Sequence, residues 1–223
     1  MTNHSAPSER TTLKRGVDRG RYAPDDVRAV LDAGLFAHVG VTTPDGPIVL
    51  PMAYGVRGNE ILIHGGVANA MMRAGRSTDV CVTVSILDGL VVARTPLHNS
   101  VNYRSVVIRG EATRIDDDDE KMAALKTIND HIAPIWDTAM PPTDADLRQT
   151  MVLTVPLTES SAKVRSGDPI DEPDVMESDY WAGVVPLHTA WGEPQPSANL
   201  RHGIERPAAV SALGGTNAHP GAE

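Results

Sequence analysis

Glu60-Ile-Leu-Ile-His-Gly-Gly-Val-Ala-Asn-Ala-Met-Met-Arg73 is the stretch on which the reading of the fold turns. Glu60 to His64 alternates polar and apolar as a half-buried strand does, Gly65-Gly66 interrupts the alternation, and Val67 to Gly75 predicts a short helix. A strand that passes through a glycine turn into a helix presents unpaired, partly positive N–H groups to whatever lies beyond the turn. Such a junction can hold an anionic group, which glycine lets come close. Glycine pairs also serve as plain reversals, and the junction alone does not separate the two readings.

Outward from this centre, the same punctuation repeats. Pro24 to Ala33 predicts a helix with proline and two acids in its first turn and Gly34 at its end, with Val27, Val30 and Leu31 on the face that packs on a sheet. Leu35–Thr42 and Pro47–Tyr54 flank Thr43-Pro-Asp-Gly46 as a hairpin, and Arg57-Gly-Asn59 turns the chain into Glu60. Downstream, Asp79–Leu87 and Leu90–Arg94 flank Asp88-Gly89, a pair that suits a two-residue hairpin turn, and Tyr103–Ile115 predicts one long strand. Acids Asp116 to Glu120 open a helix to about His131, a shorter helix lies near Asp144–Gln149, and Met151–Val155 with Ser160–Arg165 closes the pattern. Successive hairpins with brief helices predict a mainly β, antiparallel barrel rather than a parallel α/β sheet.

Three segments follow: a flexible polar arm over residues 1–20, one folded domain over 21–190, and a tail over 191–223 whose Pro, Ala, Gly and Ser predict disorder from about Pro196. Tyr180 to Pro186 is apolar enough to dock back on the body. With 29 acidic against 20 basic residues the net charge is −9, and one Phe, four Tyr and three Trp make a poor base-stacking platform. Nucleic acid and anionic membranes are therefore excluded as expected partners. No apolar run spans a bilayer and no signal peptide is recognisable, so a cytoplasmic protein is expected. The single Cys81, in Val80-Cys-Val-Thr-Val84, reads as an inert core thiol.

The eight histidines form no ligand spacing, so no metal site is expected, and no nucleophile elbow, Walker loop or dinucleotide fingerprint occurs. The remaining polar candidates bracket the strands: His64 with Asn69, and Asn102-Tyr-Arg-Ser105. Arg104 and Ser105 can meet a phosphate or ring carbonyl; the plainer readings are a surface ion pair for Arg104 and a rim aromatic for Tyr103.

Five blocks in order, Leu50-Pro-Met-Ala-Tyr-Gly55, Ile61-Leu-Ile-His-Gly65, Cys81 to Arg94, Asn102-Tyr-Arg-Ser-Val106 and Tyr180 to Leu187, resemble the pyridoxamine 5′-phosphate oxidase-like flavin-binding split-barrel proteins, within them the branch holding the nitroimidazole-resistance reductases. The resemblance covers about Arg15 to Leu187. It implies a six-stranded antiparallel split barrel of Greek-key type, a homodimer, and flavin mononucleotide (FMN) in clefts between the subunits, acting on a small-molecule substrate. Carried onto this chain, Val49, Leu50, Pro51, Met52, Ala53 and Tyr54 run beside the isoalloxazine ring; Ile63, His64, Gly65, Gly66 and Asn69 approach the ribityl phosphate; Asn102, Tyr103, Arg104 and Ser105 complete the pocket. His64 falls where the nitroimidazole-resistance relatives keep a histidine near the flavin, which makes it the candidate catalytic residue. The family's usual Ser followed by Arg or Lys at the phosphate is replaced here by Asn69-Ala70-Met71, with Arg73 about a helical turn away. An oxidoreductase is the first expectation. The alternative is a non-catalytic or weak binder of flavin, deazaflavin or haem that has lost its phosphate grip.

Overall fold

Proline fixes the first turn and Gly34 closes the last in helix α1 (Pro24–Ala33), where the Gly34 N–H donates to Val30 O at 3.1 Å. Its buried face, Val27, Val30 and Leu31, lies on the sheet as the spacing requires. In the computed structural model, which describes residues 5–76 and 78–220, the ten strands among the described residues form one antiparallel sheet, nine of them along a single path. They are β1 (Gly20–Arg21), β2 (Phe36–Thr43), β3 (Gly46–Arg57), β4 (Glu60–Gly66), β5 (Asp79–Val92), β6 (Ser100–Glu111), β7 (Thr113–Ile115), β8 (Thr150–Pro156), β9 (Ser160–Arg165) and β10 (Gly183–Pro186). Their order is β1-β9-β6-β5-β2-β3-β4-β8-β7, with β10 added to β5.

The consecutive strands β8 and β9 stand far apart in this path, so the turn between them carries the chain from one part of the sheet to the other. Its seam is visible at Gly110, where an added Cβ would lie 3.3 Å from Val155 on β8. This is the mainly antiparallel architecture expected, with ten strands rather than six. The two to four residues of β1, β7 and β10 are too few to show periodicity in sequence.

Two apolar clusters hold the sheet. The larger fills its interior with residues such as Leu31, Val39, Tyr54, Ile63, Val82, Val106 and Leu153; the smaller lies under helix α3 (Asp118–Ile132), where Ala124 and Ile128 meet Leu62 and Val152. Asp117 caps α3 by accepting from Glu120 N, so the acidic run starts a helix as expected. Helix α4 (Asp144–Gln149) follows with a Thr143/Asp146 capping box.

Three expectations are corrected. Asp88-Gly89 is not a hairpin turn: β5 runs through it, with a bulge between Leu87 and Gly89. Gly89 is needed for space, since a Cβ there would meet Val185 O of β10 at 2.9 Å, and the chain reverses later, where Asn99 Oδ1 accepts from Ala93 N at 2.8 Å. The strand expected to run on to Ile115 divides at Ala112, whose N–H turns away to Thr78 O. Cys81 is half-buried on the sheet's outer face, because Val80, Val82 and Val84 take the interior positions.

Of the arm expected over residues 1–20 and the tail over 191–223, residues 1–4 and 221–223 lie outside the described residues. The rest makes specific contacts. Arg10 pairs with Asp79 at 2.8 Å, Leu13 N donates to Tyr22 Oη, and Gly20 pairs with Lys163. Ala190 bridges to Asn217, Ala218 is buried, and the His219 ring lies 2.9 Å from Ala33 O.

Candidate functional site

Strand alternation divides the sequence-predicted site residues between two faces. On β3, Met52 and Tyr54 point inward and are buried while Val49 and Pro51 point out; on β4, Ile63 is buried and His64 half-buried. On β6, Asn102 and Arg104 follow the inward row of Val106 and Ile108, leaving Tyr103 and Ser105 outside. The outward members belong to one continuous face. Its rows are Ser105–Ser85 with Phe36–Ala53, then Val107–Thr83–His38–Pro51, then Arg109–Cys81–Gly40–Val49. One step beyond the pairing of Tyr54 with Ile63, Ala53 falls opposite His64. This face mixes polar positions (Ser85, Thr83, His38) with exposed apolar ones, Phe36 at 57% exposure, Val49 at 60% and, further along β5, Leu87 at 48%; of these three the sequence reading singled out Val49 alone.

The inward candidates have structural work. Tyr54 is fully buried, its hydroxyl donates to Leu31 O at 2.6 Å, and its ring meets His131 at a centroid distance of 4.4 Å. Burial pushes its phenol up, so it stays protonated. Asn102 donates to Gly167 O and accepts from Arg165, which tethers the end of β9. Arg104 holds Asp88 through two contacts of 2.9 and 3.0 Å and reaches Pro220 O. Its charge is therefore compensated inside the fold. Ser105 donates to Lys163 O at 3.3 Å.

At the glycine junction the helix starts later than its sequence suggested. Helix α2 is Ala70–Gly75, and Asn69 is its cap, with Oδ1 accepting from Met71 N and Met72 N. The donors expected to face an anion are thus partly taken by Asn69 itself. Gly65 is required for space, because a Cβ would meet Met72 Cγ at 2.9 Å. Arg73 bends back over the turn to donate to Ala68 O at 2.6 Å, so a cation stands beside the turn although its backbone lies a turn further on. Replacing Asn69 by alanine is expected to lower stability by about 1 kcal/mol through loss of the cap, read as a shift in the urea midpoint.

His64 is the most informative member. Its Nδ1 is buried without a hydrogen-bond partner among the described residues, and burial pushes its pKa below the usual histidine range, so the ring is neutral at pH 7. His131 is also held below that range, chiefly by burial, against the raising effect of the Gly34 carbonyl 2.9 Å from Nε2. For both, the unfolded chain binds protons more readily than the folded one in the window that ends near pH 6.5. Stability therefore rises with pH through that window and levels above it. Urea midpoints should fall as pH is taken from about 7 to about 5, and a level profile would contradict the assignment.

Among the described residues no group of His, Cys, Asp and Glu could hold a metal ion, and no helix is long and apolar enough to cross a membrane.

The solved structure of the flavocytochrome Anf3 from Azotobacter vinelandii superposes with a TM-score of 0.90 at 33% identity, covering 94% of this chain and 99% of that one. The FAD and haem binding protein from Mycobacterium smegmatis follows at 0.84 and 28%, covering 90% and 99%. A candidate 5-nitroimidazole antibiotic resistance protein from Bacteroides thetaiotaomicron shares the fold at 0.54 and 24%, covering 65% and 86%. A search of curated proteins finds no match. The family model described as pyridoxamine 5′-phosphate oxidase matches residues 23–164, well over half of the sequence, and the chain belongs to that family.

Proposed function

We propose that this chain is a flavin-binding redox protein that works as a pair of copies, with the flavin lying on the outer face between β6 and β4. The observation that carries the reading is the outer face with Phe36 and Val49 exposed on it, ending at a neutral histidine whose buried nitrogen has no partner among the described residues. An apolar floor suits a planar ring system, and a second copy laid against the face supplies its other wall. His64 offers the ring edge a hydrogen-bond partner, the turn at Gly65-Gly66 leaves room for the polar chain, and Arg73 supplies the cation missing from Asn69-Ala70-Met71. When bound, the flavin supplies hydride and electron transfer, and the protein orients it and excludes water. Asn102 and Arg104 support the site from the interior by holding Gly167 and Asp88.

The spectrum of the protein as isolated tests this. Yellow protein with a flavin absorbance, released on denaturation and identified as FMN or FAD by chromatography, supports it. Colourless protein whose melting temperature does not rise with added FMN or FAD defeats it. Light scattering should give about twice the 23.8 kDa chain mass.

A haem is a second reading, favoured because one of the similar structures is of a flavocytochrome and another of an FAD and haem binding protein. A neutral imidazole with an unpartnered nitrogen is also the chemistry that iron takes. A Soret band on the isolated protein would support it.

A further inference from the structure

We infer that the end of the outer face remote from His64 is a second binding site, one that takes a phosphorylated planar ring of nucleotide type. Two hollows meet there at Arg109. The first, about 310 Å³, lies over Gly40 and is lined by Pro47, Ile48, Val49, Val80, Cys81 and Arg109 among others. Gly40 is its floor: an added Cβ would stand in ordinary contact with Val49 Cγ2 at 3.6 Å and Cys81 O at 3.7 Å, so a longer side chain there would fill the hollow. The second, about 170 Å³, lies where the N-terminal segment crosses β6 and β9, and its lining includes Arg10, Thr12, Lys14, Arg109 and Ser161.

Three cations converge on the second hollow in a chain whose net charge is −9. Only Arg10 is compensated, by Asp79 at 2.8 Å and Glu159 at 3.4 Å. Neither Lys14 nor Arg109 forms a salt bridge among the described residues, although the Asp79 carboxylate of the first hollow lies within the field of Arg109. Two cations that form no salt bridge among the described residues, with a threonine and a serine beside them, match the charge and hydrogen-bonding needs of a phosphate, and the adjoining hollow, apolar at Pro47, Ile48 and Val49 and polar at Thr42 and Asp79, takes a flat ring with polar edges. Neighbouring positions on one strand rise by about 3.3 Å, so Gly40 lies roughly 13 Å along β2 from Phe36. That span admits two sources for the group: the adenylate half of a dinucleotide whose ring lies near His64, or a separate nucleotide. The first source rests on the flavin reading above, and the second does not.

Calorimetric titration with ADP, on the protein as isolated and after removal of any bound cofactor, tests the site. Lys14→Gln and Arg109→Gln should each weaken ADP at least tenfold, with Arg28→Gln, a surface control on α1, unchanged. Gly40→Leu should weaken ADP while leaving pyrophosphate binding as it was. ADP that binds only after cofactor removal, and competes with FAD and not with FMN, identifies the dinucleotide half. ADP that binds the loaded protein identifies a separate nucleotide, and does so even if no flavin is found. Absence of ADP binding in both forms, or binding undiminished in both the Lys14 and Arg109 variants, overturns the inference.

Discussion

The Gly55→Ala variant is expected to unfold at about 6–12 °C below the native protein, the shift that about 3 kcal/mol of overpacking produces in a chain of this size. Gly55 sits on β3 directly beneath α3. A Cβ at that position would lie 2.9 Å from the Ile128 Cα, the Ile128 N and the Thr127 carbonyl carbon. All three are backbone atoms, so no change of rotamer relieves the contact. The helix must lift, which opens the cluster that Ala124 and Ile128 form with Leu62, Ile115 and Val152. Gly192→Ala provides the control: nothing lies within 4 Å of the added atom and its φ is not positive, so a change below about 0.5 kcal/mol is expected. Differential scanning calorimetry of the two variants checks the contrast, and a Gly55→Ala protein as stable as the native one would show that α3 packs more loosely than its contacts indicate.

The same position illustrates what sequence can and cannot disclose. Strands β2, β3 and β4 follow from alternation and turn residues, and the two long helices from caps and acids, because these signals are local. Nothing local says that α3 presses its backbone onto Gly55, or that β10 returns from more than ninety residues away to pair with Gly89. Asp88-Gly89 carries the composition of a turn, and a tertiary approach converts it to a bulge. The site divides in the same way. His64 and the glycine turn are legible, whereas Val49 to Tyr54 and Asn102 to Ser105 read as whole segments although a strand can offer a ligand only every second residue. Applying that period sets Met52, Tyr54 and Arg104 aside, keeps Val49 and Pro51, and brings forward Phe36.

Alanine in place of His64 should separate cofactor binding from folding. The native ring makes no hydrogen bond through its buried Nδ1, so its removal takes away a desolvated polar atom without breaking an internal contact. The cofactor-free variant should melt at or slightly above the native temperature. Binding should respond in the opposite direction: a hydrogen bond between the neutral imidazole and a bound ring is worth about 0.5–1.5 kcal/mol, so affinity for added flavin should fall roughly two- to tenfold. Substitution by glutamine then distinguishes the two possible services of the ring. An amide can replace a hydrogen-bond partner and should recover part of the flavin affinity, but it is a poor ligand for iron and should not recover a Soret band. A His64→Ala protein that keeps its full cofactor content would place His64 outside the site and leave the open face around Phe36 and Val49 as the whole basis for binding. In that event the unpartnered nitrogen would be an unrewarded cost of burial, and filling its place should stabilise the fold with no loss of binding.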